Sequence, residues 1–262
     1  MRISIITISF NQVRFLDEAL RSFVEAGGSD VEHIVVDPGS TDCSREIIRR
    51  HMPRVTALFE PDNGPADGLN KGFAKATGEV LGFLNSDDVL CPGSLHFVEQ
   101  FFTKHTDVDA TVGSLAMIDA NSRRRLRGRV TNGFCARDWA EGTAIVLQQS
   151  TFFRRRAWEL TSGFNTGNRT CWDAELFVDM SLAGVKFESV RTVLGCFRQH
   201  EDAISSSSHS AGDPNYDRFA GDVQRITAKV FRQLGEPRPG NGLRKLKWKL
   251  SPRRRALELL SH

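Results

Sequence analysis

The sequence predicts an α/β fold, with a mostly parallel, Rossmann-like sheet, helices on both faces and a basic helical extension at the C-terminus. Short apolar runs rich in isoleucine and valine alternate with amphipathic stretches of helical period along the first hundred or so residues. Strands that alternate with helices at this spacing form parallel sheets, because each parallel connection needs a crossover. The 262 residues, 40% hydrophobic and 26% charged, suffice for one large globular domain with an appendage.

Strand and helix patterns alternate through the first part of the chain. The run ISIITIS predicts a buried strand at residues 3–9, and Phe15, Leu20 and Phe23 then recur at helical spacing until Gly27 ends the pattern. The same reasoning predicts strands for HIVVD, TALFE and VLGFL. The expected strands are residues 3–9, 33–37, 56–60 and 80–84, and the expected helices are residues 15–24, 45–51, 66–76 and 93–104.

The second half of the chain has a less regular pattern. RRRLRGR, at residues 123–129, is basic and is expected to be an exposed connection. SSSS at residues 205–208 predicts a flexible loop, and EPRPGNG ends the last helix. Further strands are expected at residues 110–119, 148–154 and 186–197, the last as a paired element, and further helices at residues 157–161, 173–184 and 216–234.

Charge and cysteine usage narrow the class of protein. The formal net charge of +3 is concentrated in LRKLKWKLSPRRR, so the rest of the chain is slightly acidic and binding to nucleic acid is not expected. Five scattered cysteines without a CxxC pair suit free thiols in a reducing compartment better than disulfides or a zinc site. Because no leader pattern and no apolar run near ~20 residues occur, we expect a cytoplasmic protein.

Polar side chains follow three of the predicted strands. Ser9 and Asn11 follow the first strand, Asp37 ends the second, and Asp87 and Asp88 follow the fourth. The carboxyl ends of parallel strands meet at one edge of an open sheet, where ligands bind. Adjacent carboxylates repel each other and favour water or a cation. NSDD is therefore either a solvated capping turn or a metal site, and the neighbouring polar strand ends keep both interpretations open.

Four segments, taken in order, resemble the inverting family 2 glycosyltransferases of GT-A fold: TISFNQ, HIVVDPGSTD, EPDNGPADGLNKGFAKATGE and FLNSDD. The resemblance continues more weakly through QQSTFFRRRAWELTSGFN, CWDAELF and FRQHEDAIS to about residue 208. It implies transfer of a sugar from a nucleotide sugar, foremost a UDP-sugar, with a divalent metal, manganese or magnesium. The acceptor would be a glycan or a lipid-linked sugar, in cell-surface polysaccharide or glycolipid biosynthesis.

The resemblance also divides the chain. It implies a GT-A domain at residues 1–215, in which residues 1–105 bind the donor and residues 106–215 bind the acceptor. Residues 216–262 would then form the basic helical extension. A QxxRW motif and transmembrane runs, which mark the processive members, are missing from the sequence, so a single-addition enzyme is expected.

The resemblance assigns the residues of the donor site. Asp88 is expected to be the direct metal ligand, with Asp87 on the ribose or supporting the metal. Asp37 is expected to bind the base or ribose, although Pro38 departs from the family pattern and removes a backbone donor; helix capping is its alternative. The expected nucleotide and donor contacts are Ser9, Asn11, Asp37, Asp67, Asp87 and Arg198. The expected metal ligands are Asp88 and His200. For Asp67, the alternative is an exposed ion pair with Lys71.

CWDAELF carries the catalytic prediction. The resemblance implies that Asp173 is the general base, the carboxylate that deprotonates the acceptor hydroxyl. Glu175 is the rival base, because DAE offers two acids in the first turn of the predicted helix. Gln149 and Trp172 are expected beside the acceptor. A polar residue at the sheet edge and a core tryptophan are their respective alternatives.

The basic segment at residues 244–255, which begins at Arg244 and ends at Arg255, has two interpretations. With Trp248 and leucines interleaved, it suits an anionic membrane surface, which would place the protein at the inner face of the membrane. The alternative is a solvated or packed C-terminal helix. The competing hypothesis is a non-catalytic sugar-nucleotide-binding or scaffold protein on the same fold. The oligomeric state is left open, and a homo-oligomer is one possibility. A P-loop NTPase is excluded, because GxxxxGK[ST] does not occur.

Overall fold

The computed structural model of the chain describes residues 1–128, 133–145, 147–201, 203 and 214–237. These residues form a nine-stranded sheet flanked by helices. The strands are β1 (Ile3–Ile8), β2 (Val31–Val36), β3 (Thr56–Leu58), β4 (Val80–Asn85), β5 (Val89–Leu90), β6 (Ala110–Asp119), β7 (Arg124–Gly128), β8 (Thr151–Arg154) and β9 (Phe187–Gln199). The helices are α1 (Leu16–Ala26), α2 (Ser44–His51), α3 (Pro65–Lys75), α4 (Ser94–Lys104), α5 (Ala136–Glu141), α6 (Arg155–Glu159), α7 (Trp172–Leu182) and α8 (Pro214–Gln233).

The first four strands form the parallel half of the sheet, as predicted. They lie in the order β3-β2-β1-β4, and Ile8 is in register with Val36 on one side and Asn85 on the other. Alternate side chains face opposite layers: Val35 packs with α1 and α2, while Ile34 packs with α3. Helices therefore cover both faces, and the carboxyl ends of β1, β2 and β4 lie side by side.

The second half of the sheet is mixed and departs from the predictions. β8 runs antiparallel to β4 and β6, β9 runs parallel to β6, and β5 pairs antiparallel with β9. The expected strand at residues 148–154 begins with a short 3-10 helix, Gln148–Ser150, and only Thr151–Arg154 is extended. Residues 187–199 form a single long strand rather than a strand pair.

The prediction of an exposed connection at residues 123–129 was wrong, because Arg124–Gly128 is strand β7. It pairs antiparallel with the C-terminal part of β6. β8 reaches only the first residues of β6, so without β7 the remaining backbone groups on that side of β6 would lack a strand partner. Pairing, rather than the composition of RRRLRGR, decides that this segment is a strand.

Helix α8 packs against the domain. Ile226, Val230 and Phe231 are buried in the largest hydrophobic core together with Trp139 of α5 and Phe177 of α7. The boundary expected at residue 215 falls inside α8, whose bounds are Pro214–Gln233. The basic segment at residues 244–255 and the loop at residues 205–208 lie outside the described residues. Within the part of the chain that is described, no helix combines the length and the apolar character needed to cross a membrane.

The five cysteines are free thiols, as predicted. Cys91 and Cys196 are buried on neighbouring chain segments, and their sulfur atoms lie 3.4 Å apart. The hydrogen bond with the neighbouring Cys91 thiol and burial raise the pKa of Cys196, so Cys196 is held as an uncharged thiol.

Candidate functional site

The segment NSDD forms the turn that joins β4 to β5. The N–H of Asp88 donates to the carbonyl of Asn85 at 3.1 Å and closes the turn. The two carboxylates then face different surroundings. Asp88 is 1% exposed, whereas the Asp87 side chain is partly exposed and its Oδ2 lies 3.1 Å from Nε2 of His200. Asp87 and His200 therefore meet, although 113 residues separate them in sequence.

Asp88 is held by N–H donors at both oxygens. Its Oδ1 accepts from the backbone N–H of Arg198 and its Oδ2 from Nε2 of Gln149, both at 2.8 Å. Burial raises the pKa of Asp88 well above its ordinary value and repulsion from Asp87 adds to the shift, while the N–H donors oppose it. Asp88, predicted as the direct metal ligand, thus has both oxygens engaged, and Asp87 is the carboxylate of the pair that reaches the surface.

Arg198 was predicted to contact the diphosphate of the donor, but its side chain binds groups of the protein itself. Its side chain is fully buried, Nε donates to the carbonyl of Asp87 at 2.6 Å, and a terminal nitrogen donates to Glu18 at 2.8 Å. The other terminal nitrogen donates to the carbonyl of Asp119 at 3.2 Å. The guanidinium therefore fastens the NSDD turn to α1 and to the end of β6 from inside the protein.

Gln149 also serves the turn. Its amide donates to Asp88, and the neighbouring Gln148 donates to the carbonyl of Phe83 in β4. β9 approaches this short 3-10 helix so closely that a Cβ on Gly195 would lie 2.2 Å from the carbonyl oxygen of Gln149. Glycine is required there by space. Gln149, expected beside the acceptor, is 7% exposed and positions Asp88.

Asp37 is buried in its own loop. One oxygen accepts from the backbone N–H groups of Gly39 and Ser40 and from Nε of Arg45, at 2.8 to 3.0 Å, and the other accepts from the Ser40 hydroxyl at 2.6 Å. At 0% exposure, the carboxylate shapes the loop after β2. This role of Asp37 is close to the helix-capping alternative, since its hydrogen bonds go to the turn that precedes α2 and to Arg45 in the first turn of that helix.

Phe10 was missed by the sequence reasoning. Ser9 before it is 2% exposed, and Asn11 after it adopts a left-handed backbone with φ of 52°. The side chain of Asn11 accepts from the N–H of Thr41 at 2.8 Å, which ties the two loops together. Phe10, 58% exposed, is left as an open aromatic face beside the loop of Asp37. The signal in the sequence is an aromatic residue between two polar ones just after a buried strand.

The loop between β3 and α3 brings further carboxylates to this edge. Oδ2 of Asp67 accepts from the N–H of Asn63 at 2.9 Å and lies 3.4 Å from Nζ of Lys71, so the alternative ion pair is present. Asp62, which the sequence also places among the polar groups of this edge, accepts from the N–H of Gly64 at 2.9 Å. Burial raises the pKa of Asp62, and repulsion from Asp67 adds to it.

The first turn of α7 separates the two candidate bases. Asp173 is partly exposed, and burial of its carboxyl group raises its pKa. Glu175 is 3% exposed and accepts two hydrogen bonds from Arg225 at 2.6 and 2.7 Å. Those bonds outweigh the effect of burial and, with bonds from neighbouring asparagines, lower the pKa of Glu175 to about 2. Trp172 is 7% exposed and packs in the largest hydrophobic core, which agrees with the alternative of a core tryptophan.

The loop that leads into α7 reaches the same edge of the sheet. The side-chain amide of Asn70, on α3, exchanges two hydrogen bonds of 2.9 Å with the backbone of Phe164. Arg169 donates to the carbonyl of Asn63, on the loop after β3. Because β3 is parallel to β1, β2 and β4, this contact brings Arg169, three residues before Trp172 at the start of α7, to the carboxyl edge of the parallel strands.

Residues 4–189, well over half of the chain, match the family described as glycosyl transferase family 2. The chain belongs to glycosyl transferase family 2. The matched region covers every element from β1 to α7 and ends within β9, whereas α8 lies beyond it.

Two solved structures resemble this family 2 chain in fold. One is S. aureus TarS 1–349 in complex with UDP-GlcNAc, with a TM-score of 0.65 at 17% identity, covering 89% of this chain and 72% of that one. The other is the mannosyltransferase PcManGT from Pyrobaculum calidifontis in complex with GDP-Man and Mn²⁺, with a TM-score of 0.64 at 20% identity. That match covers 99% of this chain and 72% of PcManGT. The predicted GT-A fold is confirmed.

Among sequence relatives, the chain is 27% identical over 214 residues to a chondroitin synthase from Pasteurella multocida, covering 78% of this chain. It spans 21% to 39% of the length of this synthase and two further bacterial relatives. This chain therefore corresponds to only one part of each of these relatives.

The donor atoms at the edge of the family 2 fold suit a divalent cation that arrives with a phosphate ligand. Across residues 1–128, 133–145, 147–201, 203 and 214–237, no group of three or more His, Cys, Asp or Glu side chains is placed to hold a metal. Asp87 and His200, 3.1 Å apart, would supply two ligands. Magnesium is commonly bound by one or two carboxylates and completes its shell with substrate phosphates and water. The pair fits such a cation.

Proposed function

We propose that this chain is a metal-dependent glycosyltransferase that transfers a sugar, with inversion, from a nucleoside diphosphate sugar to a hydroxyl acceptor. The observation that carries the proposal is the pairing of Asp87 and His200 at 3.1 Å on the edge that the loop before α7 also reaches through Arg169. A partly exposed carboxylate beside an imidazole is a set of ligands for a divalent cation. Membership of glycosyl transferase family 2 supports the same reaction.

Asp87 and His200 would hold the metal, and Asp88 would fix Asp87 from behind. A bound Mn²⁺ or Mg²⁺ supplies positive charge that stabilises the leaving diphosphate. Arg198 bonds to the carbonyl of Asp87 and its N–H bonds to Asp88, so it aligns both carboxylates. PcManGT, solved with GDP-Man and Mn²⁺, supports a metal-bound donor.

Asp173 would act as the general base. The acceptor oxygen attacks the anomeric carbon while its proton passes to the Asp173 carboxylate, and the bond from that carbon to the diphosphate oxygen breaks. One displacement inverts the configuration. A carboxyl group whose pKa is raised by burial is a better proton acceptor than an ordinary one. Glu175 is the weaker candidate, because its ion pair with Arg225 lowers its pKa and occupies both oxygens.

Phe10 would stack on the nucleotide base. Its ring is open to solvent beside the Asp37 loop, and an aromatic face binds a base without selecting its hydrogen-bonding groups. Asp37 and Asn11 would act by shaping that loop, and Asp62 and Asp67 border it. We retain a UDP-sugar as the first donor to test, which is supported by TarS solved with UDP-GlcNAc.

The acceptor is proposed to be a growing glycan or a lipid-linked sugar in cell-surface polysaccharide biosynthesis. The relationship to a chondroitin synthase over 214 residues supports this class. Single addition, a cytoplasmic location and binding of residues 244–255 to an anionic membrane complete the proposal.

The test is calorimetric titration of UDP, GDP and dTDP, with and without Mn²⁺. We expect one nucleotide to bind wild type only with metal, and Asp87→Ala to lose that binding. Asp30→Ala is the control, because Asp30 is exposed at the opposite, amino edge of β2. If no nucleotide binds with Mn²⁺ or Mg²⁺ present, the proposed function is refuted. Binding without turnover of UDP-GlcNAc or GDP-Man would favour the non-catalytic sugar-nucleotide-binding protein.

A further inference from the structure

An ion pair between a buried carboxylate and a partly exposed guanidinium joins the first turn of α7 to α8. Glu175 is 3% exposed, and both of its oxygens accept from the guanidinium of Arg225, at 2.6 and 2.7 Å. Nζ of Lys229, one turn further along α8, lies 3.8 Å from the same carboxylate. Bidentate contact to a planar guanidinium fixes orientation as well as distance. The position of this turn of α7 is therefore tied to α8.

The loop before α7 is tied to the same cluster. Asn168 donates to Glu175 at 2.8 Å, and Asn165 donates to both of its oxygens at 3.2 Å. The hydroxyl of Thr170 donates to Asp222 of α8 at 2.8 Å. Asp222 in turn accepts from Arg225 at 3.1 Å. The last residues before α7 are thus held between Glu175 on one side and α8 on the other.

The loop before α7 is also anchored on the donor side. Asn70 holds the backbone of Phe164, and Arg169 donates to the carbonyl of Asn63. The loop therefore has one anchor on the donor half and a second on α8. Helix α8 lies outside residues 4–189, the region that matches the family. Membership of the family does not by itself account for the second anchor.

We propose that Arg225 is a positioning residue that sets the place of Asp173 through Glu175. This inference rests on the proposed function, because it concerns the base of that reaction. Asp173 precedes Glu175 by two residues in the same helical turn, so the ion pair that fixes one backbone segment fixes the other. Glu175 at 3% exposure cannot exchange Arg225 for water without moving outward. Loss of Arg225 therefore shifts the first turn of α7 and leaves the donor edge in place.

The test measures release of nucleoside diphosphate from UDP-GlcNAc and GDP-Man with Mn²⁺, with water as the acceptor, in the full chain. For Arg225→Gln we expect kcat to fall about tenfold or more, since small displacements of a reacting group cost this much. The nucleotide Kd should stay within about twofold, because the donor edge does not contain α8. Arg225→Lys should recover part of kcat. Arg218→Gln, an exposed change on the same helix, is the control and should match wild type.

A second variant covers loss of folding in Arg225→Gln. Glu175→Gln removes the buried charge and leaves Arg225, 43% exposed, facing water. It should lower kcat by the same factor, and the double variant should lose no more than either single one, because the pair acts as a unit. Hydrogen exchange should quicken at residues 165–176 in each variant. If folded Glu175→Gln keeps the kcat and the hydrogen-exchange rates of the wild type, the inference about Arg225 is overturned and the proposed function is unaffected. If the wild-type protein does not bind a nucleotide in the presence of metal, the proposed function itself is refuted.

Discussion

Asp88 and Glu175 are both buried carboxyl groups, 1% and 3% exposed, yet their pKa values move in opposite directions. Burial raises the pKa of Asp88 well above its ordinary value, and repulsion from Asp87 adds to it. Burial acts on Glu175 in the same sense, but hydrogen bonds from Arg225 and neighbouring asparagines outweigh it and lower the pKa to about 2. The charge of the nearest partner therefore decides which form of a buried carboxyl group is stable.

The comparison separates the two sides of the proposed site. On the acceptor side, the cation that stabilises Glu175 belongs to the protein. On the donor side, Arg198 is near Asp88, but its guanidinium is paired with Glu18 at 2.8 Å. Among the described residues, no guanidinium therefore pairs with the Asp87 or Asp88 carboxylate alone, and a cation brought with the donor would neutralise these acids.

The largest effect is expected from the acceptor side. Asp173→Asn should lower turnover of the donor by about a thousandfold, since removal of a general base costs 10²–10⁴. Nucleotide binding should be unchanged, because the amide occupies the same space. Measuring kcat and the nucleotide Kd on one preparation checks both. Residual turnover close to wild type would move the role of base to another group.

The next effect concerns the donor side. Asp87→Ala should weaken metal-dependent nucleotide binding by about 10–100-fold, as expected for loss of a ligand or its close support. Asp88→Asn should weaken it less, because its carboxylate faces Gln149 and the backbone of Arg198. Mn²⁺ titration in the presence of the nucleotide measures the difference. A larger loss in Asp88→Asn would reverse the order of the two carboxylates.

A third effect tests whether the built-in cation stabilises the fold. Arg225→Ala should lower the free energy of unfolding by about 3 kcal/mol, because it removes the bidentate partner of the buried Glu175 and leaves Lys229, at 3.8 Å, as its nearest cation. Arg21→Ala removes a partner from Asp17 at 2.8 Å, but that arginine side chain is 72% exposed. Its loss should cost about 0.5 kcal/mol or less. Urea denaturation of both variants gives the comparison, and equal small losses would contradict it.

The smallest effects are expected in acid. His33 is buried against Phe23, and burial followed by the nearby His51 lowers its pKa from 6.5 to about 3. The folded protein therefore binds this proton less readily than the unfolded chain, so stability is complete above pH 6.5 and falls below it. Between pH 6.5 and 4.5 the loss should be about 2 kcal/mol. Glu175 adds a second loss below pH 4.5, as the pH falls toward its folded pKa of about 2.

Unfolding free energies from pH 7.5 to 4.5 check the first window. His33→Gln should flatten the pH dependence there, whereas His96→Gln, an exposed histidine on α4, should leave it as in wild type. A wild-type slope in His33→Gln would show that another group governs this range.

Local patterns predicted the parallel half well. The strands expected at residues 3–9, 33–37, 56–60 and 80–84 correspond to β1 to β4, with shifts only at their ends. β-branched runs bounded by turns carry their own signal, because a strand covered on both faces needs apolar side chains throughout. β5, β7 and α5 were not predicted. β5 and β7 depend on partners far along the chain rather than on their own composition.

The candidate site shows the same division. The motifs predicted which residues gather at the sheet edge, since strand ends have fixed positions in a parallel sheet. They did not predict that Asp88 faces inward, that Arg198 is buried, or that Phe10 is exposed. Pairing of β5 with β9 turns Asp88 toward the backbone of Arg198. Such orientation depends on contacts more than 100 residues away in sequence.

By itself, the sequence determined the fold class, the family and the set of acids at the edge of the sheet, because periodicity and motif order are local properties. Only the tertiary structure decided how each acid is used. Glu175 and Arg225 are 50 residues apart, and their ion pair has no sequence signature. Burial and the charge of a neighbour determine which form of a carboxyl group is stable, and both exist only after the chain has folded.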